Sequence, residues 1–155
     1  SMIETRSLGI TVICVCAALL ACKKSSGGDS AESSGPPIFQ KPIADLTKEE
    51  IGDACGKLGW QNSGVTFSSS TGFSNVMASC SKESPDGTAS PDGKKRARLT
   101  IALYKDPATN VDRRKQQLEA EGAAYTLDGS TFLSVSLHTK SKDEAQKQLK
   151  RLVGK

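Results

Sequence analysis

Ala97-Arg98-Leu99-Thr100-Ile101-Ala102-Leu103-Tyr104 is the stretch whose pattern decides the fold. Ala97, Leu99, Ile101 and Leu103 fall at every second place, with Arg98, Thr100 and Tyr104 between them. Successive side chains of a strand point to opposite faces, so this period of two predicts a strand with one face on a core and the other in water. One dry and one wet face is the habit of antiparallel sheets, because parallel sheets are covered on both sides.

Upstream, Val65 and Phe67 alternate with Thr66, Ser68 and Ser70, and beyond Thr71-Gly72 the residues Val76, Ala78 and Cys80 share a face. Ser-Pro-Asp-Gly then occurs twice, at Ser84–Gly87 and Ser90–Gly93. Asp-Gly is strong hairpin punctuation, and the doubled phrase predicts a long, mobile connection into the third strand. Its two aspartates lack the further carboxylates of a calcium loop. Downstream, Ala124 to Leu127 and Phe132 to His138 flank Asp128-Gly129 as a second hairpin, with Leu133, Val135 and Leu137 toward the core.

Three helices complete the pattern. Thr47 followed three places later by Glu50 is a capping box, and Ile51, Cys55 and Leu58 form an apolar stripe that Gly59 terminates. Asp106-Pro107 opens a second helix running to about Glu121, with a thin apolar face through Val111 and Leu118. Ser141 and Glu144 cap a third, whose buried stripe is Ala145, Leu149, Leu152 and Val153. The order αβββαββα predicts an α+β two-layer sandwich, an antiparallel sheet of about five strands with three helices on one face. Helix, glycine, strand, turn, strand occurs twice, from Thr47 to Lys82 and from Pro107 to Lys140, as an internal duplication would leave it.

The first part of the chain has a different character. Arg6 precedes an uncharged run from Leu8 to Ala21. Those fourteen residues would span about 21 Å as a helix, whereas a hydrocarbon core is about 30 Å thick. The run therefore reads as a signal-peptide core and not as a membrane anchor. Leu19-Leu20-Ala21-Cys22 resembles the lipobox of bacterial lipoproteins, although Leu20 is bulkier than the usual residue at its position. The resemblance implies that Cys22 becomes the mature N-terminus, with diacylglycerol on its sulfur and a fatty acyl group such as palmitate on its amine. It also implies membrane lipid as a partner and a place in the bacterial cell envelope, in the periplasm or at the surface. Lys23-Lys24 after the cysteine, with no aspartate, leans toward the outer membrane. Lys23 to Pro37 is dominated by Ser and Gly and reads as a disordered tether with a root-mean-square span of roughly 20 Å. The expected organisation is thus 1–21 signal peptide, 22–37 lipidated cysteine and linker, and 38–155 one globular domain. Around Leu46 to Trp60 the domain also resembles, more loosely, actinobacterial lipoproteins, extracellular sensor domains linked to kinases, and small outer-membrane assembly lipoproteins.

Cys14 and Cys16 lie in the apolar run and would leave with it. Cys55 and Cys80 remain, each on a stripe expected to face the core. In the oxidising compartment to which such a leader delivers a chain, they are expected to form a disulfide. They show neither Cys-x-x-Cys spacing nor accompanying histidines, so a metal or redox site is not expected.

The formal charge is +4, and removing Arg6 and Glu4 with the leader leaves it unchanged. Basic residues are scattered among Asp and Glu, which does not read as a nucleic-acid footprint, and the cluster at Lys94, Lys95, Arg96 and Arg98 reads as a solvated strand face. His138 is the sole histidine, no serine sits in a Gly-x-Ser-x-Gly elbow, and no glycine loop of phosphate-binding type occurs. An enzyme, a metal and a cofactor are accordingly not expected. The wet face of the sheet collects Thr66, Ser68, Ser70, Ser79, Arg98, Thr100, Tyr104, Ser134, Ser136 and His138. Of these, Arg98, Thr100, Tyr104, Ser134, Ser136 and His138 form the candidate binding surface. The expected function is a non-catalytic binding or scaffolding module for an envelope protein or glycan. The alternative is a ligand sensor or small-molecule carrier, and an enzyme stands third.

Overall fold

Thr47 begins the domain's first helix as its sequence dictates. In the computed structural model, which describes residues 35–154, the Glu50 amide donates to Thr47 Oγ1 at 3.2 Å and the Thr47 amide donates to the Glu50 carboxylate at 2.9 Å. This reciprocal cap satisfies two amides that the first turn leaves without helical partners. The leader, Cys22 and the tether up to residue 34 lie outside the described residues.

Helix α1 (Lys48–Lys57) leads through Gly59, whose φ of 90° suits a residue without Cβ, into β1 (Gln61–Ser70), β2 (Phe73–Ala89) and β3 (Lys95–Lys105). A 3-10 turn at Ala108–Asn110 precedes α2 (Val111–Ala120). The hairpin β4 (Ala124–Asp128) and β5 (Thr131–Leu137) follows, then α3 (Lys142–Val153). The strands form one sheet in the order β1-β2-β3-β5-β4, and every neighbouring pair is antiparallel. The α+β class and the element order are those expected.

Register follows from burying one face. Ile101 stands opposite Ala78 on one side and Val135 on the other, and Leu99 opposite Cys80 and Leu137. Shifting a strand by one residue would turn all of these to water. Ile51, Ala54 and Cys55 of α1 and Leu58 at its C-cap pack on this inner face, as do Ala145, Leu149 and Leu152 of α3. Phe39, Ile43 and Leu46, from the segment ahead of α1, complete the same core. That segment is fastened by Ile38 and Phe39, whose amides donate to the carbonyls of Arg151 and Leu152 at 3.1 and 2.8 Å. Cys55 and Cys80 are bonded, with Cα atoms 5.4 Å apart, which ties α1 to β2 in the middle of the core.

Two details differ from expectation. The three helices do not share a face. Helix α2 lies on the other side of the sheet, where Leu118 packs with Ala102, Tyr104, Ala123 and Phe132. The sandwich is therefore two-layered only over part of its area, with α2 adding a third layer at one end. The two αββ runs consequently differ in which side their helix covers. Second, Ser84–Gly93 is not one long loop. Strand β2 continues to Ala89 around a bulge, since both Glu83 and Thr88 stand opposite Arg96. The chain reverses only at Ser90–Lys94, where the Gly93 amide donates to Ser90 and the Ser90 amide to Lys94. Gly87 makes the bulge feasible, because a Cβ there would sit 2.2 Å from the carbonyl carbon of Arg96.

Candidate functional site

The outer face of the sheet is two surfaces. At one end, Tyr104 stands opposite Phe132 and Ala102 opposite Ser134, and α2 covers all four. Asp106 and Arg114 fasten this cover. The guanidinium donates to both carboxylate oxygens, at 2.9 and 3.1 Å, and to Gln117 Oε1 at 2.7 Å. Its plane also lies 3.9 Å from the centre of the Tyr104 ring. The Asp106 hydrogen bond raises the Arg114 pKa, and burial raises that of the Tyr104 hydroxyl. Both charged groups are hidden, the Asp106 side chain 1 % and Arg114 14 % exposed. With its donors engaged, Arg114 is a fastening and not a ligand site.

Tyr104 and Ser134 therefore leave the candidate surface. Both are buried, because α2 occupies the side on which alternation alone places water.

The other end is open. Arg98, Thr100, Ser136 and His138 line a cleft of about 220 Å³ with Ser79, floored by Cys80, Leu99 and Leu137 of the sheet. Here four of the six candidate residues come together. Thr100 faces Ser136 across β3–β5 and Ser79 across β2–β3, so the register itself builds a row of hydroxyls. The His138 amide donates to the Arg98 carbonyl at 3.2 Å, and the Arg98 amide lies 3.3 Å from His138 Nδ1. Nδ1 also lies 3.4 Å from the Arg98 carbonyl, so the ring is held against both polar groups of that residue's backbone.

A second cleft of about 480 Å³ shares Arg98 and is lined by Gln61, Asn62, Ser63, Ser81, Ser90, Asp92 and Arg96. Sequence spacing gave no sign of it, because β1 comes beside Arg98 through the pairing of Gln61 with Ser81 and of Ser81 with Arg98, and the Ser90–Lys94 turn arrives only after the β2 bulge. Ser63 and Ser81 hydroxyls share a hydrogen bond at 2.9 Å. Arg96 holds Asp92 through two contacts of 3.1 and 2.9 Å. That guanidinium, helped by the Lys94 amide, holds the Asp92 carboxyl down at about 2. Arg96 is thus neutralised locally. The Arg98 guanidinium, in contrast, has no hydrogen-bond or ion-pair partner among the described residues.

The arrangement offers a row of hydroxyls, two amides, an imidazole ring and one guanidinium without a partner among the described residues. It is suited to binding a polar, hydroxyl-bearing, anionic group. The residues lining the cleft that holds His138 include no carboxylate, and Nδ1, where a triad aspartate would sit, faces the Arg98 backbone. Among the described residues no three His, Cys, Asp or Glu side chains cluster as metal ligands would, and no helix is long and apolar enough to cross a membrane. No protein-family model matches the chain, and neither curated proteins nor solved structures yield a significant match.

Proposed function

We propose that the chain is a cell-envelope lipoprotein, anchored through acyl groups on Cys22, whose domain binds an anionic envelope glycan without transforming it. The observation that carries the binding half is Arg98. It is an exposed guanidinium without a partner among the described residues, placed where two hydroxyl-lined clefts meet. Hydroxyl and amide groups exchange hydrogen bonds with sugar hydroxyls, and Arg presents a fork suited to a carboxylate. A glycan joins both chemistries in one polymer. The leader and Leu19-Leu20-Ala21-Cys22 support the anchoring half.

Two measurements test the halves separately. Purified intact protein is pelleted with isolated peptidoglycan sacculi. The wild type is expected to sediment with them, and Arg98→Ala to lose roughly tenfold in affinity, the scale of one charge-assisted hydrogen-bonded contact. Equal pelleting of both proteins, or of neither, would reject an anionic group of peptidoglycan as the ligand of Arg98. Metabolic labelling with an alkynyl fatty acid is expected to mark the wild type and not Cys22→Ala; label retained by the variant would reject the anchor.

A further inference from the structure

Strand β1 is at the edge of the sheet, and all ten of its residues are exposed. Gln61-Asn62-Ser63-Gly64-Val65-Thr66-Phe67-Ser68-Ser69-Ser70 contains no charge and no proline. Edge strands in monomeric proteins are commonly protected by lysines, prolines or a cover, because their free N–H and C=O groups template pairing with another strand. Among these devices β1 has a single register break, between Asn62 and Gly64. The other edge, β4, spans only Ala124–Asp128.

Two of the three exposed large apolar side chains of the described domain lie on this edge, Val65 at 36 % and Phe67 at 56 % exposure. They pair with Ala78 and Val76 of β2, whose side chains face α1, so both stand on the helix side of the sheet. Lys48 Nζ lies 5.9 Å from the centre of the Phe67 ring. A cation in that position covers part of the ring but leaves the strand's outer margin open.

The geometry points to a second copy of this chain as the partner, joined β1 to β1 in antiparallel fashion about a two-fold axis at Thr66. The register is selected by the side chains. A two-fold at Thr66 sets Val65 of each copy directly opposite Phe67 of the other, so both exposed apolar residues are covered together. It sets Gly64 opposite Ser68 and Ser63 opposite Ser69, with no charge meeting a like charge anywhere along the strand. A two-fold centred on a residue also suits antiparallel pairing whichever of the alternating backbone groups point outward. The result is one continuous sheet through both copies. The cleft that holds His138 lies on its other face and has no β1 residue in its lining, so pairing leaves it accessible.

Disulfide trapping and sedimentation test this in the full chain with Cys14, Cys16 and Cys22 replaced by serine, in mild detergent. In the proposed register the two Thr66 Cα atoms lie about 4.5–5.5 Å apart, inside the window of about 4.4–6.8 Å that a disulfide requires. The two Ser69 Cα atoms are roughly 20 Å apart, six strand residues along. Under copper-phenanthroline oxidation, Thr66→Cys is expected to form a covalent dimer at least about tenfold faster than Ser69→Cys. Without added cysteines, the chain should show a concentration-dependent dimer by sedimentation velocity. Thr66→Lys, which sets two ammonium groups against each other at an exposed position, should raise its dissociation constant by roughly tenfold or more while the circular dichroism spectrum stays unchanged. Equal trapping at both positions, or a dimer indifferent to Thr66→Lys, would overturn the proposal. A monomer at every concentration would do the same and assign the edge to an extended segment of a different protein.

Discussion

Replacing both Cys55 and Cys80 by alanine gives the most quantitative check on how this domain is held together. The bond joins residues 25 apart in sequence, in the middle of the core between α1 and β2. In the chain-entropy treatment, closing a loop of that length removes about 12 cal/mol/K from the unfolded ensemble, or about 3.5 kcal/mol at 25 °C. Both residues are essentially without solvent exposure, so losing the sulfurs adds a cavity contribution of about 1 kcal/mol. A domain of this size has a total stability of about 5–15 kcal/mol, which makes the expected loss of about 4–5 kcal/mol a large share. With an unfolding entropy of about 2.1 cal/mol/K per residue, the midpoint should fall by roughly 15 °C or more. Urea denaturation followed by circular dichroism separates cause from consequence. The slope m should rise modestly, because the unfolded chain without its cross-link exposes more surface. A loss below about 1 kcal/mol with unchanged m would refute the reasoning.

Three further outcomes follow from other parts of the molecule. Leu118→Ala removes the buried side chain that seats α2 on Tyr104 and Phe132, and should cost about 2–5 kcal/mol in denaturant titration with increased binding of an apolar dye. Asp106→Asn breaks the hidden bidentate pair with Arg114 and should destabilise by about 3–5 kcal/mol, whereas a double change to apolar residues should recover part of that loss. The Asp92 carboxyl, held at about 2 in the folded chain by Arg96, protonates near 3.9 when unfolded. Its contribution is thus complete above the unfolded value and lost as pH falls through the folded one, and Asp92→Asn should flatten the decline of midpoint temperature between about pH 5 and 2.

What could be read from the chain and what could not has a physical division. The period of two in Ala97–Tyr104 and the caps at Thr47 and Ser141 are local signals, and they placed β3, α1 and α3. Burial of both cysteines on inward stripes likewise placed the disulfide. Periodicity in α2, however, tells which side of the helix is apolar and is silent about which side of the sheet receives it. The information was present in a different form: Met77, Ala102, Tyr104 and Phe132 gather at one end of the nominally wet face, more apolar surface than water would normally be left. The β2 bulge was illegible for another reason. Two Ser-Pro-Asp-Gly phrases are equally good turn signals, and only the close passage of Gly87 over the Arg96 backbone decides that the first continues the strand and the second reverses it. The larger cleft beside Arg98 depends on that decision, so it too was hidden.

Ile38 and Phe39 run beside the last turn of α3, and a Cβ added at Gly154 would come within 3.5 Å of Pro37. Entry to and exit from the domain therefore share one corner, on the side of the sheet away from Arg98. A fluorophore or fusion partner attached after Gly154 would report on the segment at Ile38 and Phe39 while leaving the groove at Arg98 unobstructed. Conversely, strain applied to the chain ahead of Ile38 would be felt first at two backbone hydrogen bonds and the helix behind them, on the opposite side of the sheet from the residues proposed to hold the ligand.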